Sequence, residues 1–313
     1  MRFTIVPALV MALLLAGCGG SDRETAGDGC EIGRVVATTT VLGDVVASVI
    51  GDLAEVDTLM PVGADPHGFE ASAAQAAGLR EAGLIVANGL DLEEGLTDVI
   101  EGAEADGIPV FRATEHVELL PFAVDAHEGE EAHEGAMDPH IWTDPTRMAE
   151  VAGALGETLA SLDPGCAQAW REAAAAERSR LLEVDREIEA RLAVVPADMR
   201  RLVTNHLSFG YFSDRYGFET IGVVVPGGST LAEPSPADLA ELVAAIEAAG
   251  VPAVFAETTQ PAVLARAVAE ELGRGVEVVT LYTGSLGEPG SGAETYEAMM
   301  LLDADRIAEA LGG

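Results

Sequence analysis

From residue 34 onward, short runs rich in β-branched residues alternate with stretches whose apolar residues recur at helical spacing. "RVVATTT" (34–40) gives way to "VLGDVVASVIG" (41–51), and "AEVDTLM" (54–60) to "ASAAQAAGLREAG" (71–83). "LIVANG" (84–89) is followed by "LDLEEGLTDVIEGAEADG" (90–107), read as a helix, and then by "IPVFRAT" (108–114). Strands joined in this way run parallel, because a parallel partner needs a crossover much longer than a hairpin turn. Residues 123–139 break the rhythm: the stretch is acidic, has no branched apolar residue after Val124, and reads as a loop. Two helical stretches follow. In the second, from about residue 164 to 195, Trp170, Ala174, Leu181, Val184, Ile188 and Leu192 keep one apolar stripe. A helix of that length reaches roughly 45 Å, more than one small lobe needs, so it predicts a rigid link. After Pro196 the alternation restarts with "RRLVTNH", "LSFGYFSDRYG" and "FETIGVVVP", and Ser235 and Pro236 mark the cap and first residue of a further helix. The expectation is an α/β fold of two lobes with mostly parallel sheets, residues 34–160 and 197–313, bridged by one long helix within 161–196. Ligands of such sheets sit beyond the carboxyl ends of the strands, so the cleft between the lobes is the expected site.

The beginning of the chain reads as an export signal. One basic residue, Arg2, precedes an apolar run at residues 5–16. That run is too short to cross a hydrocarbon core of ~30 Å as a helix. It ends in Leu15-Ala16-Gly17-Cys18, which resembles a bacterial lipobox; residues 1–18 are then a lipoprotein signal with Cys18 as the lipidated residue. Residues 19–33, poor in apolar side chains, read as a flexible tether. The expected location is the outer face of the cell membrane. The formal net charge of −36 repels phosphates, which argues against a nucleic-acid partner, and it attracts cations. Solubility or salt adaptation explains the same charge equally well. Two cysteines remain, Cys30 and Cys166. An oxidising compartment permits a disulfide between them, and the chain-entropy model assigns such a large loop about 4–5 kcal/mol. The spacing alone does not say whether they meet.

The chain has six histidines. His67, His140 and His206 follow strands or loops, where convergent ligands would come from in this architecture. Two of them stand in the same tripeptide, Asp-Pro-His, at 65–67 and 138–140. Proline fixes its own φ and pushes the preceding Asp to an extended conformation, so each histidine is held. No His-Glu-x-x-His or Cys-x-x-Cys pair is present, so the sequence-local zinc signatures are missing. On spacing alone, a metal site and three ordinary hydrogen-bonded histidines are balanced readings. His116 lies in "ATEHVEL" and reads as a surface histidine.

"PVGADPHGFEAS", "MDPHIWTDP", "VTNHLSFGYFSDRYG", "VFAETTQP" and "LYTGSLGEPGSGAETYEAMM", in this order, resemble the zinc/manganese-binding solute-binding proteins of bacterial ABC importers. The resemblance runs over nearly all of residues 34–313. It implies two α/β lobes bridged by one long helix, a metal between them, and no enzymatic activity. It implies a membrane permease as partner, a lipid anchor and a monomer. It also implies three ligands: His67 from Pro-His-x-x-Glu, His140 from Asp-Pro-His-x-Trp, and His206 from Asn-His-x-x-Phe-Gly-Tyr. Many members have Thr-Asp-Ser, with the Asp on the metal, where this chain has Thr283-Gly284-Ser285. Glu257 is then the candidate to supply the missing charge, as a fourth ligand or by holding a ligand in place; water is the alternative. Three imidazoles favour Zn2+ over Mn2+, which takes more carboxylate oxygen. His127 and His133, in the acidic "DAHEGEEAHEG", resemble the accessory metal-capturing loop of zinc-importing members, and a solvated insertion is the plainer reading. Two other functions fit three histidines: a zinc-dependent hydrolase with water at an open position, and a surface adhesin whose metal is structural.

Overall fold

The computed structural model describes residues 30–122, 136–273 and 275–312. Four parallel strands form the first sheet: β1 (Arg34–Ala37), β2 (Glu55–Thr58), β3 (Leu84–Ala87) and β4 (Val110–Arg112), in the order β2-β1-β3-β4. Helices α1 (Thr40–Ile50), α2 (Ala73–Leu79) and α3 (Thr97–Ala105) make the crossovers. In the second half, β5 (Arg201–Thr204) pairs in parallel with β6 (Glu219–Val223), and β7 (Ala253–Glu257) with β8 (Glu277–Leu281). β5 also lies alongside β7, so the two ladders are neighbours. Helices α6 (Gly210–Tyr216), α7 (Pro236–Ala249) and α8 (Val263–Leu272) connect these strands, and α9 (Tyr296–Leu311) closes the chain. Between the halves stand α4 (Pro145–Leu162) and α5 (Ala167–Leu192), the latter 26 residues long. The fold is therefore the α/β arrangement read from the sequence, with two lobes and one long bridging helix. No helix among the described residues is long and apolar enough to cross a membrane.

Strand alternation sorts the core into layers. Val35, Ala37, Leu84 and Val86 face one side of the first sheet, whereas Val36, Ile85 and Ala87 face α2 and α3 on the other. In the second half, Leu202, Ala253 and Phe255 face inward, and Val203, Val254 and Ala256 pack under α7 and α8. The two inward faces share one continuous core. It runs through Trp170, Leu181, Val184 and Ile188 of α5 to Tyr296 and Ile307 of α9. The stripe read along the long helix is thus the seam between the lobes.

Two elements differ from the sequence reading. The helix expected across residues 90–107 starts late: Leu90 and Asp91 have φ of 53° and 54°, a 3-10 turn covers Glu94–Leu96, and α3 begins only at Thr97. The buried Glu93 carboxylate accepts from the backbone N–H of Asn88 and the hydroxyl of Thr38, at 2.7 and 2.6 Å. A side chain that binds its own upstream backbone competes with helix initiation. The long helix, in turn, is preceded by a 3-10 turn at Pro164–Cys166. That turn carries one half of a disulfide, Cys30–Cys166, whose Cα atoms lie 5.5 Å apart. Beside it the buried Asp163 carboxylate accepts from the N–H of Glu31 at 2.9 Å and from the Trp170 indole at 3.3 Å.

Candidate metal centre

His67 stands in the loop after β2, His140 at the start of a 3-10 turn (Ile141–Thr143) before α4, and His206 just after β5. Three loops distant in sequence meet here. The Nε2 atom of His140 lies 3.3 Å from Nε2 of His67 and 3.1 Å from Nε2 of His206. All three histidines are buried, with at most 3% of each residue's surface exposed. Three bare nitrogens this close repel one another unless a proton or a cation sits between them. Zinc–nitrogen bonds of roughly 2.0–2.1 Å at tetrahedral angles put their nitrogens about 3.3 Å apart. The observed spacing fits one such ion against three Nε2 atoms.

The repeated tripeptide forms the same turn twice. Asp65 Oδ1 accepts the N–H of His67 at 3.1 Å, and Asp138 Oδ1 accepts the N–H of His140 at 2.9 Å. In each, an Asp two residues upstream binds the histidine backbone, as short carboxylates do in turns. Asp138 reaches further: the same oxygen lies 2.7 Å from His140 Nδ1. Asn88 fixes this loop from the end of β3, donating to Pro139 O at 2.9 Å, and the Tyr211 hydroxyl donates to Asp138 O at 2.8 Å. His140 is therefore held from both lobes.

Each imidazole has a carboxylate behind it. Glu257, at the end of β7, presents Oε1 to His206 Nδ1 at 2.5 Å. Glu94 Oε1 lies 3.8 Å from His67 Nδ1. At His140 and His206 the carboxylate on Nδ1 fixes the tautomer that leaves Nε2 free for a cation and makes it a better donor, whereas Glu94 lies beyond hydrogen-bond reach of His67. Glu257 thus stands behind His206 and not among the Nε2 atoms. Gly284 cannot be replaced by a ligand at no cost: a Cβ there would stand 2.7 Å from Cδ of Pro66, the proline beside His67. A side chain at this position would have to push Pro66, and with it the first Asp-Pro-His turn, aside.

The electrostatics divide the three rings. Burial, with His140 and His206 close by, lowers the pKa of His67 to about 2. Burial also lowers His140, against the pull of Asp138. Burial opposes charge on His206 too, but Glu257 outweighs it and raises the pKa of His206; burial opposes charge on Glu257, and His206 outweighs it in turn. Burial makes two of the rings poor proton acceptors, whereas Glu257 makes His206 the ring that holds a competing proton most firmly.

Sequence reasoning missed Asp65, Asp138 and Glu94 as parts of this site. The first two had a signal in the two-residue offset that repeats with each histidine; Glu94 had none. His116 is exposed and stacks on Phe111, with ring centroids 4.4 Å apart. Cys18, His127 and His133 lie outside the described residues.

A two-lobed α/β chain on a helical bridge, with three buried imidazoles converging from separate loops, defines a binding protein that encloses a cation. Residues 35–310 match the family model described as "Zinc-uptake complex component A periplasmic" (ZnuA), and the chain belongs to that family. It is 29% identical over 304 residues to the manganese-binding lipoprotein MntA of Halalkalibacterium halodurans, covering 97% of this chain and 96% of that one. It is 30% identical over 293 residues to the zinc-binding protein TroA of Treponema pallidum, covering 92% and 91%. The solved structure of the periplasmic zinc-binding protein TroA superimposes with a TM-score of 0.79 over 90% of this chain and 99% of that chain, at 30% identity. The family consists of metal-binding substrate-binding proteins of ABC importers, so the chain is a carrier and not an enzyme. That membership overturns the hydrolase reading of the three histidines.

Proposed function

We propose that this protein captures Zn2+ between its lobes on Nε2 of His67, His140 and His206 and passes it to the permease of an ABC importer. It does so from the outer face of the membrane, held by a lipid on Cys18, with residues 34–160 and 197–313 as the lobes and 161–196 as their link. The observation that carries the reading is the spacing of the three Nε2 atoms, 3.1 and 3.3 Å about His140. Mn2+ is the less favoured cargo, although MntA is a manganese-binding relative. Mn2+ prefers carboxylate oxygen, and here the carboxylates stand behind the rings. Charge is still compensated, because Asp138 and Glu257 lie one imidazole away from the ion. His127 and His133 are assigned accessory capture of the metal.

Titration of the purified protein with each metal tests the assignment. One tight Zn2+ equivalent is expected, with Mn2+ at least about a hundredfold weaker; equal affinities would refute the choice of zinc. Gly284→Asp is expected to leave Zn2+ affinity unchanged or lower it, since the new side chain must first displace Pro66. A gain in Mn2+ affinity in that variant would show that the loop accommodates a carboxylate after all.

Glu257→Gln removes the charge behind His206. Loss of such a partner typically costs 10- to 100-fold in metal affinity. The pH dependence has a definite sign. In the metal-free protein His206 is protonated below its raised pKa, so Zn2+ binding there releases a proton and affinity falls as pH falls through that value. In Glu257→Gln the falling limb moves to lower pH. Calorimetry in buffers of different ionisation enthalpy reads both effects, and an identical proton release in the two proteins would remove Glu257 from this role.

A further inference from the structure

Beside His67 a segment of the C-terminal lobe crosses to the N-terminal lobe. It is the stretch 226–231 between β6 and α7. Ser229 Oγ donates to Glu94 Oε1 at 2.8 Å. Gly228 lies against the Phe122 ring so closely that a Cβ would stand 2.1 Å from its Cζ, which is why no side chain fits there. Thr230 Oγ1 donates to Asp65 Oδ2 at 2.5 Å, and Gln260 Nε2, from the loop after β7, donates to the same oxygen at 2.5 Å. The other oxygen of Asp65 holds the backbone N–H of His67.

The two Asp-Pro-His turns therefore differ in one respect. Asp138 spends Oδ1 on the backbone N–H and the Nδ1 of its own histidine. Asp65 divides its oxygens between its histidine and the opposite lobe. Three donors converge on this carboxylate, two of them from side chains more than 160 residues away in sequence. Hydrogen bonds to a charged acceptor are among the stronger ones, and a carboxylate that loses two of them at once must be resolvated before the lobes can part.

We propose that Asp65 is a positioning residue that latches the two lobes together and couples that latch to His67, so that it sets how fast the bound metal is released. Opening the cleft at Thr230 and Gln260 frees the carboxylate that holds the His67 backbone; loosening His67 and parting the lobes become one event. The inference rests on the three-histidine reading of the metal site. Thr230 and Gln260 hydrogen-bond to Asp65 and to none of the three rings, so the latch can be cut without removing a ligand.

Stopped-flow release of Zn2+ into excess chelator tests it on the full chain, comparing the wild type, Thr230→Val with Gln260→Leu, and Asp65→Asn. The double variant is expected to release zinc about tenfold faster or more, with the association rate little changed. The Co2+ spectrum of a three-imidazole site should be unaltered. Asp65→Asn keeps a carbonyl for His67 but sets an amide against Gln260; it should match the double variant, and combining all three changes should add little. An unchanged release rate in the double variant, or fully additive effects, would overturn the latch. If the wild type binds no single Zn2+ with a three-imidazole signature, the reading of the site fails instead. The latch is then judged by hydrogen exchange across residues 226–231 in the metal-free chain. Faster exchange in the double variant supports it, and unchanged protection refutes it.

Discussion

His140→Ala is expected to abolish tight zinc binding. His140 is the ring whose Nε2 lies within 3.3 Å of both others, so its loss removes the shared vertex of the site. Structural zinc sites with four ligands are worth roughly 10–16 kcal/mol, so one ligand carries about 3 kcal/mol. That is over a hundredfold in Kd. The loss should exceed that share, because truncation also leaves the buried Asp138 carboxylate without the imidazole it faces. Competition with a chelator of known affinity measures the change. Retention of wild-type affinity would take His140 out of the ligand set. Circular dichroism should show a folded chain, since the loop keeps its Asn88 and Tyr211 contacts.

Replacing Cys30 and Cys166 together by serine is expected to cost about 5 kcal/mol of stability by the chain-entropy model, given the size of the loop the bond closes. The bond joins residues 136 apart, from just before β1 to the turn that opens α5. Its neighbours make the corner sensitive. Asp163 is buried there and holds the Glu31 N–H and the Trp170 indole, both of which depend on the corner keeping its shape. Guanidinium unfolding of the oxidised protein and of the double serine variant gives the difference. Zinc affinity at low denaturant should stay within about a factor of three, because no contact described for the three imidazoles passes through this corner. A stability loss under about 1 kcal/mol would mean that the unfolded chain is already compact around the same residues.

Much of the fold was readable because strands and helices leave different periods in the chain. The four residues of β3, "LIVA", are all buried and sit in the middle of their sheet, as an unbroken apolar run implies. The stripe on α5 was readable for the same reason; that it fills the seam between two sheets depends on contacts made by residues a hundred positions away. The site divided along the same line. The rigid setting of His67 and His140 was visible in the repeated proline. The convergence of the three Nε2 atoms was not, because each loop reports only its own turn. Glu257 could be nominated for its charge, but its place behind His206 is set by how β5 and β7 lie together. Glu94 was hidden inside a stretch with helical spacing. Three successive residues with positive φ, Gly89, Leu90 and Asp91, redirect the chain there, and this carboxylate comes near His67. Gly284 was legible as a missing ligand; that Pro66 occupies the vacated space was not.

The continuous core beneath both sheets has a consequence for engineering. Exchanging one lobe with that of a relative is an obvious route to try for a new specificity. In this chain the apolar faces of β1, β3, β5 and β7 belong to one core in which α5 packs on α1, α4 and α9, so a cut at either end of α5 would divide that core. A graft of either half from a relative would have to bring α4, α5 and α9 with it. Specificity is more readily redesigned loop by loop, around the three imidazoles and the carboxylates that back them, than by recombining halves.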